Sequence, residues 1–258
     1  MQRSDALRPP VPFTVSKPVL VALLCCAVVC LSATAHAQHT VQVSVKHILT
    51  SQGARSTGVY ANDVAIHAAI ATCNNVLQNN NTSWALEVVE ILDVAGSTYQ
   101  SVPLSAVYDL EAAAIADPAT YHWRGDAINI YIVPNLIGAA GVCSGPGTHE
   151  IIVLDNGGLL NGSIAWLHEI GHYLGLTHTF SGTGAVSCPN SNTCDPTIGA
   201  IHATGALVAC ADICPDDDNI MSYNCVTPST AVFSPCQKTE MLFELLDPAG
   251  SRGHVANQ

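Results

Sequence analysis

The segment His168-Glu169-Ile170-Gly171-His172-Tyr173-Leu174-Gly175-Leu176-Thr177-His178 gathers three imidazoles and a carboxylate. On a helix, positions i and i+4 share one face, so His168 and His172 can grip a single ion. His178 lies six residues beyond His172. A continuing helix would rotate it away and carry it about 9 Å along the axis. The chain must therefore reverse first, and Gly175 permits the left-handed geometry that a reversal needs. Glu169 sits beside the ligands, where a carboxylate can take a proton from a metal-bound water. Ile164, Ala165, Trp166, Leu167, Ile170, Tyr173 and Leu174 surround this helix with apolar groups, which predicts a buried helix. Histidines and a glutamate are costly to bury uncompensated, and a bound Zn²⁺ compensates them. H-E-x-x-H alone recurs by chance; H-E-x-x-H-x-x-G-x-x-H does not.

Such a helix needs a scaffold. Val41 to Leu49 alternates as a strand, and Asn62 and Asp63 are N-cap types ahead of a helix reaching about Gln78. Trp84 to Val94 reads as a second strand, Ser105 to Ala116 as a short helix and Ala127 to Val133 as a third strand. A glycine-rich loop, Gly138 to Gly147, leads to a fourth strand from His149 to Leu154. Ser163 to Leu174 is the metal-site helix. Residues 177–236 have little periodicity and hold most of the cysteines, and Thr239 to Leu246 closes the chain as a short amphipathic helix.

Downstream, Asn219-Ile220-Met221-Ser222-Tyr223 places a methionine in a turn after the histidine motif. This combination resembles the pappalysin-like (cytophagalysin) family of metzincin zinc metalloendopeptidases. The resemblance rests on Leu167 to Phe180, Cys188, residues 219–223, Cys225, and Phe233-Ser234-Pro235 with Gln237 and Met241. Ile128 to Leu136 and Glu150 to Asn156 follow in the family's order. Between the two motif blocks, only Cys194-Asp195-Pro196-Thr197 approaches the G-D…D-T-P segment usual there. The resemblance implies an α+β fold: a twisted mixed sheet with two main helices in an upper lobe, and an irregular, disulfide-rich lower lobe with a C-terminal helix. It implies that His168, His172 and His178 bind catalytic Zn²⁺, that Glu169 is the general base, and that Tyr223 stabilises the tetrahedral intermediate or ligates the resting metal. Met221 would form an apolar floor under the metal. The substrate would be a protein or peptide lying extended on an edge strand, around Gly141 to Cys143. Two alternatives stand beside this: a secreted non-catalytic binding module on a metzincin fold, and a metzincin peptidase of another family.

Composition sets the compartment. The chain has 258 residues, a formal net charge of −12 and only 11 % charged residues, which excludes a general electrostatic footprint for nucleic acid or anionic membrane. Arg3, Arg8 and Lys17 precede an apolar run from Val19 to Leu31, too short to span a bilayer, and Ala35-His36-Ala37 supplies a cleavage site. Residues 1–37 therefore read as a secretory signal peptide and 38–258 as one catalytic domain, with no pro-segment expected. The product would be extracellular, or periplasmic if the host has a periplasm, monomeric and without a membrane partner. Eight cysteines remain after cleavage: Cys73, Cys143, Cys188, Cys194, Cys210, Cys214, Cys225 and Cys236. An even set in a secreted chain predicts disulfides, with Cys188, Cys194, Cys210, Cys214 and Cys225 bracketing the methionine turn. Asp216-Asp217-Asp218 reads as a solvated acidic loop, with a structural Ca²⁺ as the alternative. Arg124-Gly125-Asp126 reads as a turn into the third strand. Asn80, Asn81 and Asn161 begin glycosylation sequons, relevant only in a host that uses them.

Overall fold

A computed structural model describes residues 39–95, 98–143, 149–157, 163–176, 178, 218–221, 227–246 and 252–257. The expected signal segment lies outside these residues. So do Tyr223, Asn161, Asp216, Asp217, and Cys188, Cys194, Cys210, Cys214 and Cys225; the backbone at Cys236 is described but its side chain is not.

Alternation in the first strand explains the layering. In β1 (His39–Ile48), Val41, Val43 and Val45 face one core, while Ser44 and Lys46 point the other way. β4 (Ile128–Val133) is buried at every position. Ile128, Ile130 and Ile132 join the first core; Tyr131 and Val133 join a second. A strand buried on both faces belongs inside a parallel sheet covered on both sides. The sheet order is β2-β1-β4-β7-β6, where β2 is Trp84–Val94, β6 is Gly141–Cys143 and β7 is Ile151–Asp155. The first four strands run parallel, and β6 pairs antiparallel with β7 at the edge. A two-residue strand, β8 (Ala256–Asn257), adds antiparallel to the start of β1.

The first core holds α1 (Asp63–Asn79) and α4 (Ser163–Tyr173), and Met241 and Leu245 of the C-terminal helix join it. Asn62 caps α1 by accepting from the Ala65 N–H at 3.0 Å, as its type predicts. Against the second core lies α2 (Val107–Ala116), through Val107, Leu110 and Ala114. A four-residue helix, α3 (Pro118–Tyr121), follows it. Two short parallel strands, β3 (Ser101–Pro103) and β5 (Asn135–Ile137), form a separate rim.

Three expectations need correction. The glycine-rich stretch is not all loop: Gly141–Cys143 forms the antiparallel edge strand that the resemblance placed there, three residues being too few to show a period. The fourth strand begins at Ile151, not His149, because His149 and Glu150 spend their polar groups on Glu111 and Arg252. The last helix, α5 (Pro235–Leu246), starts four residues earlier than its apolar spacing suggested. Ser234 and Gln237 form a capping box there: the Gln237 N–H donates to Ser234 Oγ at 3.2 Å, and the Ser234 N–H to Gln237 Oε1 at 2.8 Å. Proline at the first helical position fits that start.

Candidate metal centre

The end of α4 performs the predicted reversal. The Gly175 N–H donates to the His172 carbonyl at 3.1 Å and the Leu176 N–H to the Gly171 carbonyl at 2.9 Å, with Gly175 at φ +92°. That bond pair around a left-handed glycine is a Schellman turn, and it returns the chain so that His178 faces the helix. The three Nε2 atoms then lie 3.1 Å (His168 to His178), 3.2 Å (His168 to His172) and 3.0 Å (His172 to His178) apart.

Backbone carbonyls fix the tautomers. Nδ1 of His168 lies 2.8 Å from the Ile220 carbonyl, and Nδ1 of His172 lies 2.8 Å from the Leu176 carbonyl. A carbonyl only accepts, so both Nδ1 atoms carry the proton and both Nε2 atoms present lone pairs. Burial lowers all three imidazoles, His168 to about 3 and His178 to about 2, so they are neutral at physiological pH. Lone pairs converging at this distance repel unless a cation lies among them. Tetrahedral bonds of about 2.0–2.1 Å to zinc imply nitrogen separations of about 3.3–3.4 Å, close to those observed. The donor set therefore fits Zn²⁺. Among the described residues, no other group of three His, Cys, Asp or Glu side chains is arranged to hold an ion.

Glu169 projects from the next position of the same helix and is only 6 % exposed. Burial pushes its carboxyl up to about 8, opposed by a bond from the Cys143 N–H. Edge strand β6 thus borders the carboxylate. Gly141 leaves the necessary room: a Cβ there would lie 2.8 Å from Glu169 Cγ and 2.9 Å from its Oε1.

Met221 is fully buried beneath α4, and Gly171 is the reason it fits. A Cβ at position 171 would lie 2.5 Å from Met221 Sδ. The turn itself is pinned. The Met221 N–H donates to Asn219 Oδ1 at 2.9 Å, and the Asn219 side-chain amide pairs with that of Gln237. Backbone bonds between residues 218–220 and Val232 complete the anchor. Sequence reasoning singled out Met221 but missed the supports: Gly171, the Ile220 carbonyl, Asn219 with Gln237, and Arg252. Backbone acceptors and cross-chain amide pairs leave no periodic trace.

Other singled-out residues lie elsewhere. Cys73 is buried in the first core on α1, and Cys143 ends β6 beside Glu169; burial pushes both thiols up. Arg124 spends its guanidinium on Asp126, at 2.8 and 2.7 Å, in a turn before β4, as the turn reading expected.

The peptidase M43 family model, described as pregnancy-associated plasma protein-A, matches residues 152–245, which contain both motif blocks. That segment resembles the pappalysin branch of the metzincin peptidases. The chain's fold is similar to that of mirolysin. One structure, mirolysin in complex with compound 9, aligns over 84 % of this chain and 96 % of its own, at 15 % identity and TM-score 0.56. Mature mirolysin from Tannerella forsythia with a cleaved peptide aligns over 84 % and 95 %, at 14 % identity and TM-score 0.55. A chaperone-substrate complex aligns over 58 % of this chain at 18 % identity and TM-score 0.41, and this chain spans only 26 % of that protein's length. No curated protein matches. The matched segment is thus that of a metallopeptidase family, and the fold around it is the mixed α+β fold of mirolysin.

Proposed function

We propose that this chain is a secreted metzincin zinc endopeptidase that cleaves internal peptide bonds of proteins, with His168, His172 and His178 holding the zinc and Glu169 acting as general base. The convergence of three neutral imidazoles, with their Nε2 atoms within 3.0–3.2 Å of one another, carries this reading. Zinc, when bound, supplies Lewis acidity and makes water a nucleophile near neutral pH. The chain's own residues do the rest. The buried Glu169 carboxylate accepts the proton of the attacking water and passes it to the leaving amine. The Cys143 N–H holds it in place. The substrate pairs with β6, whose outer side faces no other strand among the described residues, so the scissile bond is delivered beside Glu169. The peptide in the mirolysin complex supports a peptide ligand for this fold. Tyr223 stabilises the tetrahedral oxyanion through its phenol.

Cleavage at Ala37 would release Gln38–Gln258 as a monomer to an oxidising compartment, where the eight mature cysteines would form disulfides. Asp216 to Asp218 form a solvated acidic loop in this reading, with a structural Ca²⁺ as the alternative. The decisive experiment pairs Glu169→Ala with the wild type in zinc analysis and cleavage of denatured protein, with and without chelator. The variant is expected to retain zinc and lose cleavage. Equal, chelator-insensitive cleavage by both would refute the mechanism.

A further inference from the structure

The buried Arg252 lies beyond the segment matched by the family, near the chain's end. It is only 1 % exposed, yet every arm of its guanidinium is engaged. Nε donates to the Tyr173 carbonyl at 3.1 Å, Nη1 to Glu150 Oε1 at 2.8 Å and Nη2 to the His149 carbonyl at 2.8 Å. Its Cζ lies 4.2 Å from the centre of the Tyr173 ring. Its own N–H donates to the Glu244 carbonyl of α5 at 3.0 Å. Four residues on, β8 joins β1.

Tyr173 ends α4 and follows the ligand His172. A helix leaves its last four carbonyls without helical partners. Here Leu174 takes that of Ile170, Leu176 that of Gly171 and Gly175 that of His172. The carbonyl left over, that of Tyr173, is the one Arg252 takes. A cation there also complements the helix dipole. The other two arms hold the start of β7, the strand that pairs with β6 and so with the backbone at Cys143 that bonds Glu169. Arg252 thus joins the helix that carries His168, Glu169 and His172 to the ribbon whose Cys143 N–H bonds Glu169.

We propose that Arg252 is a positioning residue of the metal centre, through which the C-terminal tail fixes the end of the zinc helix against the β6–β7 ribbon. This rests on the reading that the three histidines hold zinc. Neighbours that orient metal ligands typically change metal affinity about 10- to 100-fold when removed.

The test compares the wild type, Arg252→Met and Arg252→Lys in the full chain. It reads zinc affinity by competition with a chelating dye, the visible spectrum of the Co²⁺-substituted protein, and kcat and KM separately. Arg252→Met is expected to weaken zinc binding about 10-fold or more, alter the cobalt band and lower kcat with KM little changed. Arg252→Lys, which keeps the charge and loses the fork, should recover part of each loss. A folded Arg252→Met with wild-type zinc affinity, cobalt spectrum and kcat overturns the proposal. If Arg252→Met does not fold, Glu150→Gln loosens one arm of the same guanidinium at a surface residue. A perturbed cobalt band in that variant supports positioning, and an unchanged one overturns it. Failure of the wild type to bind zinc would instead sink the reading of the histidines.

Discussion

Replacing Gly171 by alanine puts a helical gain and a packing loss in direct opposition. In a helix interior, Gly→Ala gains about 1 kcal/mol. At this position the new Cβ would sit 2.5 Å from Met221 Sδ, 3.3 Å from its Cε and 3.5 Å from Leu176 Cδ1. Ordinary contacts lie near ~3.5–4.0 Å, so the sulfur must retreat by about 1 Å. It has little freedom to do so. Met221 is fully buried, its N–H is held by Asn219, and the preceding Ile220 carbonyl holds His168. Forcing one extra methyl into a packed core costs about 1–3 kcal/mol. The net effect of Gly171→Ala is then a destabilisation of about 0–2 kcal/mol, together with weaker zinc binding as Ile220 shifts. The same substitution in a Met221→Ala background meets no sulfur. There it should stabilise by about 1 kcal/mol, on top of the roughly 2–5 kcal/mol that Met221→Ala itself costs. Urea unfolding of all four proteins at one fixed free zinc concentration gives the coupling energy, expected at about 1–3 kcal/mol. Identical effects of Gly171→Ala in both backgrounds would show that Met221 is not what requires glycine.

Gly141→Ala should push Glu169 aside, lowering kcat at least 10-fold while zinc content stays at the wild-type level; kinetics with metal analysis on the purified variant checks this. Lys46 is fully buried against Asn129, and burial lowers its amine from 10.5 to about 7. The unfolded chain therefore binds more protons between pH 7 and 10.5, so this residue makes stability rise with pH across that window. Lys46→Met should remove that rise, seen as a pH-dependent stability difference from the wild type; a constant difference would contradict it. Ser234→Ala breaks the capping box of α5 and should cost about 1 kcal/mol in urea unfolding, without changing zinc affinity.

The periodic elements were legible because burial imposes a period. Valines at every second place in β1 and the apolar surround of α4 each needed only neighbouring residues to be read. The ligand set was legible for a related reason: helical spacing and one glycine turn bring His168, His172 and His178 together through local geometry alone. The edge strand was legible only through the family resemblance and not from its own pattern, since Gly141–Cys143 owes its conformation to pairing with β7. The start of α5 was missed because its first turn is set by a capping box and a proline rather than by apolar spacing.

What the sequence determined by itself is the chemistry: three imidazoles and a carboxylate within one turn-bounded segment admit few uses besides holding a metal beside a base. Tertiary structure decided how those groups are held. The Ile220 carbonyl sets the His168 tautomer from 52 residues away, β6 sets the environment of Glu169, and Arg252 completes the helix end from 79 residues beyond Tyr173. The division follows from range. Ligand spacing is a property of one helix and its turn, whereas tautomer, desolvation and orientation depend on groups that only the folded chain brings within hydrogen-bonding distance.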